Sequence, residues 1–354
     1  MRVSLLVGTI KGGFLLHSNA DRAEWSVEGP FFKGWKVTAS GRDAAGGYLL
    51  ATASDVYGPA VHKSPDLVDW HQVASGPAYS EASGHKLNQV WTFGRAGQRL
   101  LAGVDEAGLF SSEDGGENWS QVESLTSQPS RPQWYPGFGG LCAHHLLSDP
   151  KNPDRLWVAI SAVGVFRSDD GGASWQGANE GVPCIIQDEQ HCEIGYCVHA
   201  LQQHPEDANT IFRQDHRGMF KSTDGGEQWR EIQEGLPSNF GFPLVMDQRT
   251  RALYCCPLES DEYRFPVDGA LRVYRSTDEG ESWEPMTEGL PQSNAYVNVL
   301  RCAMACDSLP EGGVYMGTTA GQLYVSTDGG ARWRDLGLSL PRILSVEVYV
   351  AEEA

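Results

Sequence analysis

The residues best suited to chemistry sit in a few short polar segments between apolar runs. Asp105 and Glu106 are adjacent, Glu193 lies in a polar stretch with Asp188, Glu189 and His191, and Asp215, His216 and Arg217 close an apolar run. Glycoside hydrolysis needs two carboxylates across a sugar ring, one as acid and one as base or nucleophile. Asp105 or Glu106 opposite Asp215 or Glu193 supplies such a pair, and His216 completes the catalytic candidates. Solvated loop acids in an acidic chain account for the same residues without any chemistry. For substrate contact the candidates are Trp134, Tyr135, His144, His145, His199, Arg217 and Arg301. Trp134 and Tyr135, in "RPQWYPGFGG", suit either stacking on a sugar or plugging the mouth of a channel.

Metal chemistry is the next class to weigh. "HCEIGYCVH" places His191, Cys192, Cys197 and His199 within nine residues, and Cys142, His144 and His145 share an earlier apolar run. The spacing matches no paired C-x-x-C zinc pattern. Small buried cysteines and pocket-lining histidines explain it more simply, so no metal is expected. No P-loop, dinucleotide fingerprint or serine elbow is present, and no cofactor is expected.

These candidates must be held by a scaffold, and the sequence spells it out as a repeat. The phrase Ser-x-Asp-x-Gly-x-x-Trp occurs five times, as in "FKSTDGGEQW" (220–229). Its aspartates are 114, 170, 224, 278 and 328, and its tryptophans 119, 175, 229, 283 and 333. Two worn copies precede them: "HSNADRAEW" keeps Ser18 and Trp25, and "HKSPDLVDW" keeps Ser64, Asp66 and Trp70 but is one residue short and lacks glycine. The seven tryptophans recur 45 to 56 residues apart. Units of that length, each with four short apolar segments broken by Gly and Asp-Gly, predict four-stranded blades of a seven-bladed β-propeller.

The repeated acid then has a mechanical role. It sits in the hairpin between third and fourth strands, where its side chain can accept backbone N–H bonds and glycine can take φ > 0. The first unit lacks an inner strand, while "RILSVEVYV" (342–350) follows the last complete unit. The C-terminal strand is therefore expected to complete blade one and close the ring. Antiparallel alternation puts the candidate site on the face opposite the hairpins, in the loops between second and third strands and in the blade-to-blade links.

Composition limits partners. The chain has 354 residues and a net charge of −19, which argues against nucleic acid and anionic membranes. No apolar run is long enough to span a bilayer. The start reads as a strand and not a signal peptide, so a cytoplasmic protein with reduced cysteines, folded as one domain over 1–354, is expected.

The five phrases resemble the Asp-box, or bacterial neuraminidase repeat (BNR), of sialidases and other propellers. With "GLPSNFGFP" (235–243) and "GLPQSNAYVNVLR" (289–301), the chain is similar to bacterial BNR-repeat glycosyl hydrolases and to photosystem II assembly-factor propellers, which are not enzymes. The resemblance implies either an enzyme acting on a carbohydrate or a noncatalytic platform for glycan or protein. A sialidase is not implied: its Phe/Tyr-Arg-Ile-Pro motif is missing near the start, and "LPRIL" (340–344) places Arg342 and Ile343 beside proline in a different order. Xyloglucan-cleaving relatives hold their aspartates between two propellers, and one is expected here.

Overall fold

Each full phrase folds as a hairpin tied by its own serine and aspartate. In the computed structural model, which describes residues 1–185 and 193–352, Gly226 N–H donates to Ser222 Oγ at 2.8 Å. Ser222 Oγ in turn donates to Asp224 Oδ1 at 2.7 Å, and Gln228 N–H reaches the same oxygen at 2.9 Å. Gly225 and Gly226 take φ of 75° and 90°, a region closed to most side chains. In blade six a glutamate stands at the first glycine position. Glu279 adopts φ 59°, and its carboxylate takes the Lys221 ammonium at 2.6 Å. The short copy in blade two keeps the acid's job: Asp66 Oδ1 accepts Val68 and Asp69 N–H, while Leu67 takes φ 72°.

A carboxylate that accepts so many donors should resist protonation. The Ser174 hydroxyl and N–H, helped by the Ser168 hydroxyl, hold Asp170 down to about 2. Because the folded value lies below the unfolded one, the contribution is full above about pH 4 and is lost as pH falls toward 2. An acid titration of stability should therefore decline through that window, and Asp170→Asn should flatten part of the decline. An unchanged slope in the variant, followed by denaturant midpoints at each pH, would remove Asp170 from the account.

Strands pair into seven four-stranded antiparallel sheets, the blades of a β-propeller. Blade two, for instance, comprises Lys36–Arg42, Tyr48–Ser54, Gly58–Ser64 and His71–Gln72. Blade three comprises Gln89–Ala96, Arg99–Asp105, Gly108–Ser112 and Ser120–Gln121. Second strands read as near-solid apolar runs, such as "LYCCPL" at Leu253–Leu258, because both faces are covered. Blade one is completed by the C-terminal strand. Ile343–Ala351 pairs antiparallel with Arg2–Thr9, from Arg2 opposite Ala351 to Thr9 opposite Ile343, with a bulge at Gly8/Thr9.

By packing, the chain divides into two compact units. One holds Met1–Val37, Phe212–Lys221 and Glu231–Ala354; the other holds Thr38–Ile211 and Ser222–Arg230. The first unit's core runs through Val3, Leu5, Val7, Tyr254, Tyr315 and Ile343. The second unit carries two clusters, one around Trp134, Phe166 and Trp175, the other around Leu49, Phe110 and Trp119.

Successive blades within a unit are stitched by a Glu-Gly step. Trp333 N–H donates to Glu288 O at 2.8 Å, and a Cβ on Gly289 would lie 1.9 Å from Trp333 O. Glu234–Gly235 with Trp283, and Glu180–Gly181 with Trp229, repeat the arrangement. Among the described residues no helix is long and apolar enough to cross a membrane.

Candidate functional site

The loop end of blade three assembles a polar cluster in the second unit. Asp105 ends the strand Arg99–Asp105, and Gly108 begins the next, leaving Glu106 and Ala107 in the turn. The preceding link wraps this turn: Asn88 N–H donates to Asp105 O, and Glu106 N–H donates to Lys86 O at 3.1 Å. Tyr79 OH donates to Glu106 O at 2.6 Å. Glu106 is tied from both sides, with His85 Nδ1 at 3.1 Å and Arg131 Nη2 at 3.3 Å from Oε1. Arg131 also donates to Ala107 O at 2.8 Å and lies over the Trp134 ring at 4.8 Å.

Asp105 is in a different setting from its neighbour. Burial pushes its carboxyl above the ordinary range, and the charge of Glu106 adds to that, while Asn88 and Trp91 donors oppose it. Asn88 Nδ2 sits 3.3 Å from Oδ1. The turn at 137–140 closes on the other oxygen, since a Cβ on Gly140 would meet Oδ2 at 3.0 Å. Two adjacent acids thus have divergent surroundings, one pushed toward its neutral form by burial and one bonded to Arg131 and His85.

Aromatic residues flank this turn in opposite senses. Trp134 is buried, donates from Nε1 to Ser130 Oγ at 3.2 Å and packs on Phe166. Tyr135 and Phe138 are exposed, Phe138 at 97%. Glu193 is exposed, and the next residue, Ile194, belongs to the same apolar cluster as Trp134. The structure therefore brings Asp105, Glu106 and Trp134 together, with Tyr135 next to Trp134 in sequence and Glu193 next to Ile194 of the Trp134 cluster.

The histidines on inner strands point elsewhere. His144 is fully buried, its Nδ1 2.8 Å from Nδ1 of the half-buried His145. His199 is buried as well, with Nε2 3.6 Å from Cys197 Sγ. Asp188, Glu189, His191 and Cys192 lie outside the described residues.

In the first unit, Asp215 is wholly buried. Its Oδ2 takes Arg213 Nε at 3.0 Å and Nη2 at 2.5 Å, and its Oδ1 takes Arg217 N–H at 3.2 Å. A carboxylate so enclosed holds the turn and has no solvent-facing oxygen to offer a ligand. His216 is half-buried, 3.1 Å from Asp261 Oδ2 and edge-on to Phe240. Arg217 is exposed. Arg301 lies 5.0 Å over Phe242, with Arg264 at 5.6 Å from the same ring.

Sequence reasoning passed over Tyr79, His85, Asn88 and Arg131, which come from links whose course no local pattern sets. Arg213 was readable: residues two apart on a strand share a face, so Arg-x-Asp is an ion-pair signal. Exposed aromatics also gather at the loop ends. They are Tyr57, Tyr135 and Phe138 in the second unit, and Tyr263, Phe265 and Tyr296 in the first.

No family model matches the chain. It is 24% identical over 213 residues to a xyloglucanase of Hypocrea jecorina (strain QM6a), a match covering 60% of this chain and 22% of that protein's length. Among solved structures it is similar to an ancestral GH74 enzyme, with 19% identity, 78% of this chain and 34% of the other covered, and a TM-score of 0.56. It is likewise similar to YCF48 bound to D1 peptide, with 14% identity, 89% and 93% covered, and a TM-score of 0.57. At these identities the likeness to solved structures is one of fold.

Proposed function

We propose that the chain is a glycoside-hydrolase-like propeller that takes a carbohydrate at the loop end of the second unit. The observation that carries the reading is the unequal pair at Asp105–Glu106, beside a segment that exposes Tyr135 and Phe138. Asp105, whose carboxyl burial pushes upward, is the proton donor to the glycosidic oxygen. Glu193, exposed on a neighbouring link, is the second carboxylate. Glu106, held by Arg131 and His85, positions the turn and raises its neighbour. Partial sequence similarity to a xyloglucanase supports the substrate class.

The test is turnover of chromogenic glycosides and xyloglucan oligosaccharides by the parent, Asp105→Asn and Glu193→Gln. Loss of a proton donor should cost about a hundredfold or more, and the alkaline limb of the parent profile should lie above the ordinary carboxylate range. Turnover unchanged in Asp105→Asn would end the reading. Binding without turnover would favour the second one, a noncatalytic platform for a glycan, peptide or protein. That alternative is supported by the exposure of Phe138 and Tyr57, and by a fold shared with a peptide-bound propeller.

A further inference from the structure

The two hairpins that depart from the repeat leave their indoles less buried than the rest. In the five full copies the tryptophan is only 5% to 7% exposed, whereas Trp25 and Trp70 are half-buried. Open clefts accompany both. One of about 540 Å³ lies beside Trp25, with Arg2, His17 and Glu24 in its wall. A larger one, of about 950 Å³, lies beside Trp70 and is lined by Asp43, Lys63, Val68, Asp69 and His71.

We propose that the Trp70 cleft is a noncatalytic binding site for a neutral carbohydrate. The short hairpin keeps the indole fixed, since Trp70 Nε1 donates to Leu67 O at 2.8 Å, as Trp119 does to Gly116 O. The ring keeps this anchorage while being less buried than its counterparts and bordering the cleft. A fixed, partly exposed indole offers apolar area to the C–H face of a sugar at little entropic cost.

The polar lining selects the ligand class. Lys63 and His71 share the wall with Asp43 and Asp69, so hydrogen-bond donors and acceptors both face the cleft. Sugar hydroxyls both donate and accept, and such a wall satisfies both roles. A phosphate would face Asp43 and Asp69 in a chain of net charge −19, which repels it. This cleft belongs to the hairpin end of blade two, apart from Asp105, and stands or falls independently of turnover there.

Native affinity electrophoresis in gels cast with soluble xyloglucan, mixed-linkage β-glucan or galactomannan tests it. A Tyr135→Ala, Phe138→Ala background removes stacking at the loop end, so remaining retardation reports the cleft. At least one polysaccharide should retard that protein, and Trp70→Ala should weaken the binding about tenfold, equivalent to about 1.4 kcal/mol, with Trp70→Phe between. Should Trp70→Ala lose its fold, Val68→Glu, at an exposed position in the same cleft, carries the comparison. Retardation unchanged by these variants, or absent with all three polysaccharides, overturns the proposal.

Discussion

A chain ending at Leu340 should fail to fold, giving insoluble protein without a cooperative melt. The segment removed contains the inner strand of blade one, Ile343–Ala351, which buries Ile343, Val346 and Tyr349. Each such side chain is worth about 1.5–3 kcal/mol of transfer free energy. The loss also bares one edge of Arg2–Thr9 along its whole length, with Val3, Leu5 and Val7 in the core behind it. Unpaired N–H and C=O groups on an apolar edge add both instability and a template for aggregation. Together these approach the whole stability of an ordinary domain, about 5–15 kcal/mol. A synthetic peptide of residues 341–351 should restore solubility when co-refolded with the truncated chain. A truncated protein that melts like the parent would show that blade one does not depend on this strand.

The second large effect is expected at a buried ion pair between blades one and seven, within the first unit. Arg22 and Asp307 side chains are 2% and 0% exposed, and Nη1 meets Oδ2 at 2.8 Å. The same carboxylate takes the Tyr315 hydroxyl at 2.6 Å and the N–H groups of Leu309 and Gly313. Arg22 itself takes φ 55°, and its carbonyl receives Trp25 Nε1 and Arg334 Nη2. Asp307→Ala strands a guanidinium, a hydroxyl and two N–H groups in the interior, and should cost about 3–5 kcal/mol. A urea midpoint shift with unchanged slope measures it. The paired change Arg22→Met with Asp307→Leu should recover much of the loss, since removing both charges avoids the orphaned one. A cost below about 1 kcal/mol for the single variant would mean water reaches the site.

The scaffold was legible because its signal is repeated and local. Ser, Asp, Gly and Trp at fixed spacing specify hairpins whose serine and aspartate bonds are made within eight residues, and seven occurrences fix the blade count. Closure could also be read, because the strand missing from the start had a candidate at the end. The loop-end chemistry was only half readable. Asp105 and Glu106 stood out as acids in a predicted turn, but what separates them is supplied by Asn88, His85 and Arg131 from links without periodicity. Asp215 was equally conspicuous in sequence, and its burial against Arg213 is a matter of packing that composition does not report. Trp25 and Trp70 were recognisable as atypical copies. That their irregularity opens clefts depends on how neighbouring segments fill space, which no single phrase encodes.

The Glu-Gly stitch engages main-chain atoms of the next hairpin, with one side-chain pair, Glu288 and Arg332, added at the last of the three. Neighbouring sectors can therefore drift in sequence without losing their grip on each other, provided a glycine stays where Gly289 meets Trp333 O. A grip made through the main chain lets one framework carry different side chains on neighbouring hairpins.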